Sequence, residues 1–215
     1  MIPLRALLRR DNPATMTLLI IALNVLVRVW ESVQPLYRQN IFIRHYAMIP
    51  DHLRLTSLVT SMFLHEGWIH LIGNMWFLWV FGSHIEDVMG APRFLAFYLS
   101  CGVTSAVVQL AMTLHSPIPT LGASGAIAGV MGAFLVLYPR VRVSTLLIII
   151  IFITTVEIPA AFMLIYWFAI QLINGLFASG TFNDSGGTAW FAHVGGFLAG
   201  LFLIRLFPNT RRYSY

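Results

Sequence analysis

"TLGASGAIAGVMGAF", residues 120–134, places a serine among small residues at the head of an apolar, helix-length segment. A hydroxyl in a membrane helix usually bonds the carbonyl one turn back or serves as a small packing residue. Ser124 has different surroundings: Gly122 precedes it, Gly125 follows it, and the turn-forming "HSPIPT" leads into it. Glycines at such a loop-to-helix junction let the backbone approach a ligand closely. The first N–H groups of the helix are unpaired and carry the positive end of its dipole. A nucleophile placed there has an anion-binding pocket built around it.

Composition places the surrounding chain in a bilayer. Of 215 residues, 58% are hydrophobic and 10% charged, with a mean hydropathy of +0.80, outside what a soluble surface tolerates. The single cysteine, Cys101, excludes an intramolecular disulfide. The basic N-terminus runs into a long apolar segment with no A-x-A cleavage pattern and reads as retained. Crossing the hydrocarbon takes about 20 helical residues. Spans fit at 14–33, 67–85, 92–114, 122–138, 159–178 and 188–207. Residues 34–66 scatter Arg38, Arg44, His45, Asp51, His52 and Arg54 among aromatics and aliphatics, a mixture predicted to lie in the interface as short amphipathic helices. Residues 143–157, "VSTLLIIIIFITTVE", are apolar, short and β-branched, and are a candidate seventh span.

The distribution of arginine, the only cationic residue type besides histidine, decides between six spans and seven. With six spans and the N-terminus inside, Arg5, Arg9, Arg10, Arg93, Arg140, Arg142, Arg205, Arg211 and Arg212 are all cytoplasmic, and only Arg38, Arg44 and Arg54 face out. The prediction is an all-α membrane protein: a six-transmembrane-helix bundle over 14–207 with an interfacial first loop. Residues 1–13 and 208–215 are cytoplasmic tails, and 143–157 lies at the cytoplasmic interface. Arg28, near the outer end of the first span, is expected to snorkel. The basic tails read as topology signals and contacts to membrane lipids, so a pI near 9.9 is no argument for nucleic acid.

A nucleophilic serine needs a base, and "AWFAHVGGFLAG" (189–200) offers His193 near the outer end of the last span, at the depth of Ser124. Ala192, Gly196 and Gly200 repeat every four positions and lay a smooth stripe along that helix; Gly125, Gly129 and Ala133 do the same on the Ser124 helix. Two such faces can bring Ser124 and His193 into hydrogen-bond range. In "HEGWIHLIGNMWFLW" (65–79), His70 and Asn74 are four apart on one helical face near the same depth. An imidazole and an amide there can donate to a developing oxyanion; interhelical hydrogen bonding is the plainer account of each.

These residues resemble the rhomboid intramembrane serine proteases. The likeness rests on "HLIGN" (His-x-x-x-Asn), "GASG" (Gly-x-Ser-Gly) and "AHVGGFLAG" (Ala-His-x-x-Gly-x-x-x-Gly), in that family's order and on its second, fourth and sixth helices. It implies that Ser124 is the nucleophile and His193 its general base, a dyad without an aspartate. It further implies an oxyanion hole of His70, Asn74 and the Ser124 N–H, with Gly122 shaping the turn. "GSHIE" is similar to the family's Gly-x-x-x-Glu and makes Glu86 a structural anchor at the cytoplasmic end of span two. Many members carry an aromatic residue four positions after the serine, packed on the imidazole. This chain has Ala128, which leaves that place to an aromatic from another helix.

The implied activity is endopeptidase cleavage of transmembrane or juxtamembrane segments of other membrane proteins, with no cofactor and no metal. A peptide bond in a helix is shielded, so cleavage is expected where the substrate helix unwinds. The site is expected to open to the outer face through 115–120 and 179–187. The small size of the chain resembles the bacterial form of the family and implies the cytoplasmic membrane of a bacterium. The alternative within the family is a catalytically impaired relative that binds membrane clients without cleaving them. A zinc protease is disfavoured because His65 and His70 are five apart and so on different helical faces. An aspartyl protease is disfavoured because Asp11, Asp51, Asp87 and Asp184 are expected in tails or loops. A transporter would show broken helices or midplane charges.

Overall fold

The computed structural model describes residues 1–149, 152–180 and 189–207. All six apolar segments are helical there. The first is α1 (Thr15–Ser32). The mixed segment after it forms α2 (Leu36–Tyr46), α3 (Ser57–Thr60) and two short 3-10 turns. The second is interrupted: α4 (Trp68–Phe77) passes through a π-helical turn, Leu78–Gly82, into α5 (Ser83–Met89). The others are α6 (Ala91–Met112), α7 (Ser124–Leu137), α8 (Ala160–Gly180) and α9 (Trp190–Leu203). Among the described residues, three helical stretches, Thr15–Ser32, Ala91–Met112 and Ala160–Phe177, are long and apolar enough to cross a membrane; α7 and Trp190–Leu206 are shorter apolar helices. The C-terminal tail 208–215, Asp184 and residues 181–187 of the expected mouth lie outside the described residues.

The all-α expectation is corrected by a three-stranded antiparallel sheet. Residues 1–13 do not hang free as a tail, because β1 (Ile2–Ala6) pairs with β2 (Arg142–Ile149), which pairs in turn with β3 (Phe152–Pro159). Ile2 faces Leu146 and Ala6 faces Val143, while the second pairing runs from Arg142 opposite Pro159 to Ile149 opposite Phe152. The described parts of 143–157, residues 143–149 and 152–157, are therefore strand. Its run of valine, isoleucine and threonine loses rotamer freedom in a helix and packs well on a pleated surface. Val143 and Thr145, two apart, are fully buried on one face. The Trp76 indole N–H donates to the Pro3 carbonyl and ties the sheet to α4.

Below β1 the chain is held by α5. The Glu86 carboxylate accepts from the Met16 and Thr17 backbone N–H groups and the Thr17 hydroxyl, each at 2.7 Å, and so caps the N-terminus of α1. Asp87, expected in a loop, is instead a buried residue of α5 that accepts from Asn12 N at 2.9 Å and Asn12 Nδ2 at 2.7 Å. A carboxylate in this position is tolerated because several donors replace its water shell. Glu86→Ala strips three bonds from a buried site. We expect a loss of about 3 kcal/mol, read as an earlier unfolding transition in detergent.

Arg28 has a partner in its own helix: its Nη1 donates to Glu31 Oε2 at 3.0 Å, and Glu31 is 1% exposed. A carboxylate three residues on neutralises the guanidinium locally and lowers the cost of an arginine within an apolar helix.

The centre of the fold is α7, in which every residue from Gly125 to Phe134 is buried. α9 lies directly on it. A Cβ built on Gly196 would overlap the Gly125 carbonyl, and one on Gly200 the Gly129 carbonyl. Only glycine permits this backbone-to-backbone approach. On its other side α9 is pinned to α6, because the Ser105 hydroxyl donates to the Ala192 carbonyl at 2.8 Å and Gln109 Oε1 accepts from the Ala192 N–H at 3.0 Å.

Candidate active site

Three helix starts meet at one level. Ser124 is the first residue of α7, His193 lies in the first turn of α9, and His70 in the first turn of α4. The glycine contact between α7 and α9 sets the distance between the first two. His193 Nε2 is 2.8 Å from Ser124 Oγ, within reach for a hydroxyl donating to an unprotonated ring nitrogen. His193 is 8% exposed, and Ser124 is half-buried.

The loop that delivers Ser124 is held by the first loop. Met48 and Thr120 exchange backbone hydrogen bonds at 3.0 and 2.8 Å, Asp51 N donates to the Ser116 carbonyl at 3.2 Å, and Gly122 N donates to the Ser61 carbonyl at 2.9 Å. Residues 115–120, predicted as part of the entrance, are thus tied to residues 48–51. Gly122 has φ +123°, in the region that favours glycine. A Cβ there would lie 2.9 Å from His70 Cε1, 3.1 Å from His70 Nε2 and 3.7 Å from Asn74 Nδ2. The turn thus brings the His70 ring and the Asn74 amide up against the backbone beside Ser124. Asn74 is buried, and its Nδ2 has no hydrogen-bond partner among the described residues. A buried donor without a partner is costly unless a ligand uses it.

His65 lies ahead of α4, outside the helix that carries His70. Their rings meet edge to face with centroids 5.2 Å apart, and no cluster of three metal-ligating side chains occurs among the described residues. Burial, with His70 and Arg28 nearby, pushes the His65 pKa down to about 3, so this neighbour of His70 is uncharged. Beside Ser124 is a cavity of about 30 Å³, bordered by Ser61, Gly102, Ser105, Gly122 and Ala192, which has room for a water.

Two residues at the site were not legible in the motifs. Gln171 of α8 is buried, with Oε1 2.7 Å from His193 Nδ1. Trp167, one turn earlier on the same face, sets its ring centroid 5.8 Å from that of His193. This is the aromatic from another helix that the Ala128 substitution left a place for. The available signal was an amide in the middle of an apolar helix, which asks for a partner.

Compared with known families, the chain matches the Rhomboid domain over residues 52–209. The chain belongs to the rhomboid family. It is 32% identical over 188 residues to presenilin-associated rhomboid-like protein A, mitochondrial, of Danio rerio, covering 86% of this chain and 46% of that one. It is 38% identical over 128 residues to the human presenilin-associated rhomboid-like protein, mitochondrial, covering 58% of this chain and 33% of that one. Rhomboid protease GluP of Bacillus subtilis is 42% identical over 78 residues, covering 36% of this chain and 15% of the bacterial one. This rhomboid spans less than half the length of each of these relatives. Mitochondrial proteins figure prominently among them, so the expectation of a bacterial cytoplasmic membrane finds no support and is set aside.

Proposed function

We propose that this rhomboid is an intramembrane serine endopeptidase that cuts transmembrane or juxtamembrane segments of other membrane proteins. The observation that carries the reading is the 2.8 Å contact between Ser124 Oγ and His193 Nε2 at the head of α7. In this reading all six apolar segments span the bilayer, both termini lie on one side, and the site opens to the other, with α2 in the interface.

Ser124 Oγ attacks the scissile carbonyl carbon as its proton passes to His193 Nε2, and the carbonyl π electrons move to the oxygen. The oxyanion is received by the Ser124 backbone N–H, the Asn74 amide and the His70 ring. Collapse expels the amine, which takes the proton from Nε2. Water then repeats the sequence on the acyl-enzyme. The cavity beside Ser124 offers that water a place. Because α7 begins at Ser124, its free N–H groups add positive potential where the negative charge develops.

The test is labelling of the detergent-solubilised protein with a fluorophosphonate, with Ser124→Ala as control. Labelling of the wild type that the control lacks supports the reading. No labelling of a folded wild type sinks it and favours a client-binding relative that does not cleave. Asn74→Ala is expected to lower the labelling or cleavage rate by about 10²-fold at unchanged thermal stability, since its Nδ2 has no partner to lose among the described residues.

A further inference from the structure

Gln171 is a group the Ser–His dyad leaves without a task. It lies inside α8, a predominantly apolar helix, where an unpaired amide is unfavourable. Its Oε1 is directed at the one nitrogen of His193 that does not face Ser124. A neutral imidazole carries one N–H and one lone pair, and the partner of each nitrogen decides which is which.

We propose that Gln171 is the positioning residue of this site, accepting the His193 Nδ1 proton and thereby reserving the Nε2 lone pair for Ser124. The inference rests on the dyad reading. A carbonyl oxygen can only accept, so with Oε1 at 2.7 Å the proton belongs on Nδ1. The opposite tautomer would aim an N–H at Ser124 Oγ and leave no base. When Nε2 takes the serine proton, the Nδ1–H···Oε1 bond becomes charge-assisted and strengthens. An amide does this without placing a second ion in an apolar helix, which a carboxylate would. Trp167 and Gln171, four residues apart on one face of α8, act together: the ring packs beside the imidazole and the amide fixes its rotation.

The experiment uses the whole protein in detergent micelles with imidazole nitrogens labelled with ¹⁵N, His193 being assigned by comparison with His193→Ala. In the wild type, Nδ1 is expected as the protonated nitrogen and Nε2 as the unprotonated one. Gln171→Leu, similar in volume but lacking the acceptor, is expected to show mixed tautomers. It should also lower the maximal rate of fluorophosphonate inactivation by roughly 10–100-fold, with half-saturation unchanged. Gln171→Glu restores an acceptor and should recover most of that rate. A wild-type His193 protonated on Nε2 overturns the proposal. So does a folded Gln171→Leu that keeps the wild-type tautomer and rate, or a Gln171→Glu as impaired as the leucine variant. The wild-type spectrum needs no activity, so it judges Gln171 even where labelling fails and the protease reading falls. It also does so where Gln171→Leu does not fold.

Discussion

His193→Ala is expected to reduce cleavage and fluorophosphonate labelling by about 10⁴-fold or more, to the level of Ser124→Ala, with no further loss in the double variant. The two residues act as one unit: without the ring, the Ser124 hydroxyl has no acceptor for its proton and is a weak nucleophile. Non-additivity is the decisive feature. Two independent packing residues would give effects that add, and the 2.8 Å contact would then be only structural. Thermal unfolding of Ser124→Ala should stay near wild type, because it removes one oxygen, whereas His193→Ala should unfold somewhat earlier, because it leaves a gap beside Trp167 and strips Gln171 of its partner. Residual cleavage within tenfold of wild type in His193→Ala would assign the base to another group.

Gly196→Ala and Gly200→Ala are expected to be among the most destabilising small changes in the molecule, each by about 3 kcal/mol or more. The added methyl meets the carbonyl of Gly125 in one case and of Gly129 in the other. Backbone atoms in a helix cannot swing aside as a flexible side chain can, so α7 and α9 must part. A separation of even 1 Å would also stretch the contact between Ser124 and His193, so activity should fall with stability. Gly73→Ala is the control: nothing lies within 4 Å of a Cβ built there. Within a helix that change should be neutral or slightly stabilising. Unfolding transitions in micelles compare the three. Equal behaviour would mean that α7 and α9 are not held by this seam.

The residues proposed to carry the chemistry are legible in the sequence because each sits in a local pattern. Ser124 stands at a glycine-flanked helix start, His70 and Asn74 share a face by their spacing, and His193 stands at the matching end of a small-residue stripe. The β-branched character of 143–157 was equally visible, yet hydropathy alone could not separate a strand from a short buried helix. What made it strand was a partner: β1 lies more than a hundred residues away and supplies the second edge for β2.

The amino-acid sequence by itself determined the helical segments, the small-residue seams and the candidate dyad, because hydropathy, periodicity and motif spacing act over one or two helical turns. The tertiary structure alone decided which remote groups complete them. It set Glu86 on the first turn of α1, paired Arg28 with Glu31, folded the N-terminal residues onto the sheet, and brought Trp167 and Gln171 to the imidazole. A polar side chain inside an apolar helix announces only that it needs a partner. Which partner it finds depends on how the helices are placed against one another, and that is set by packing between segments far apart in the chain.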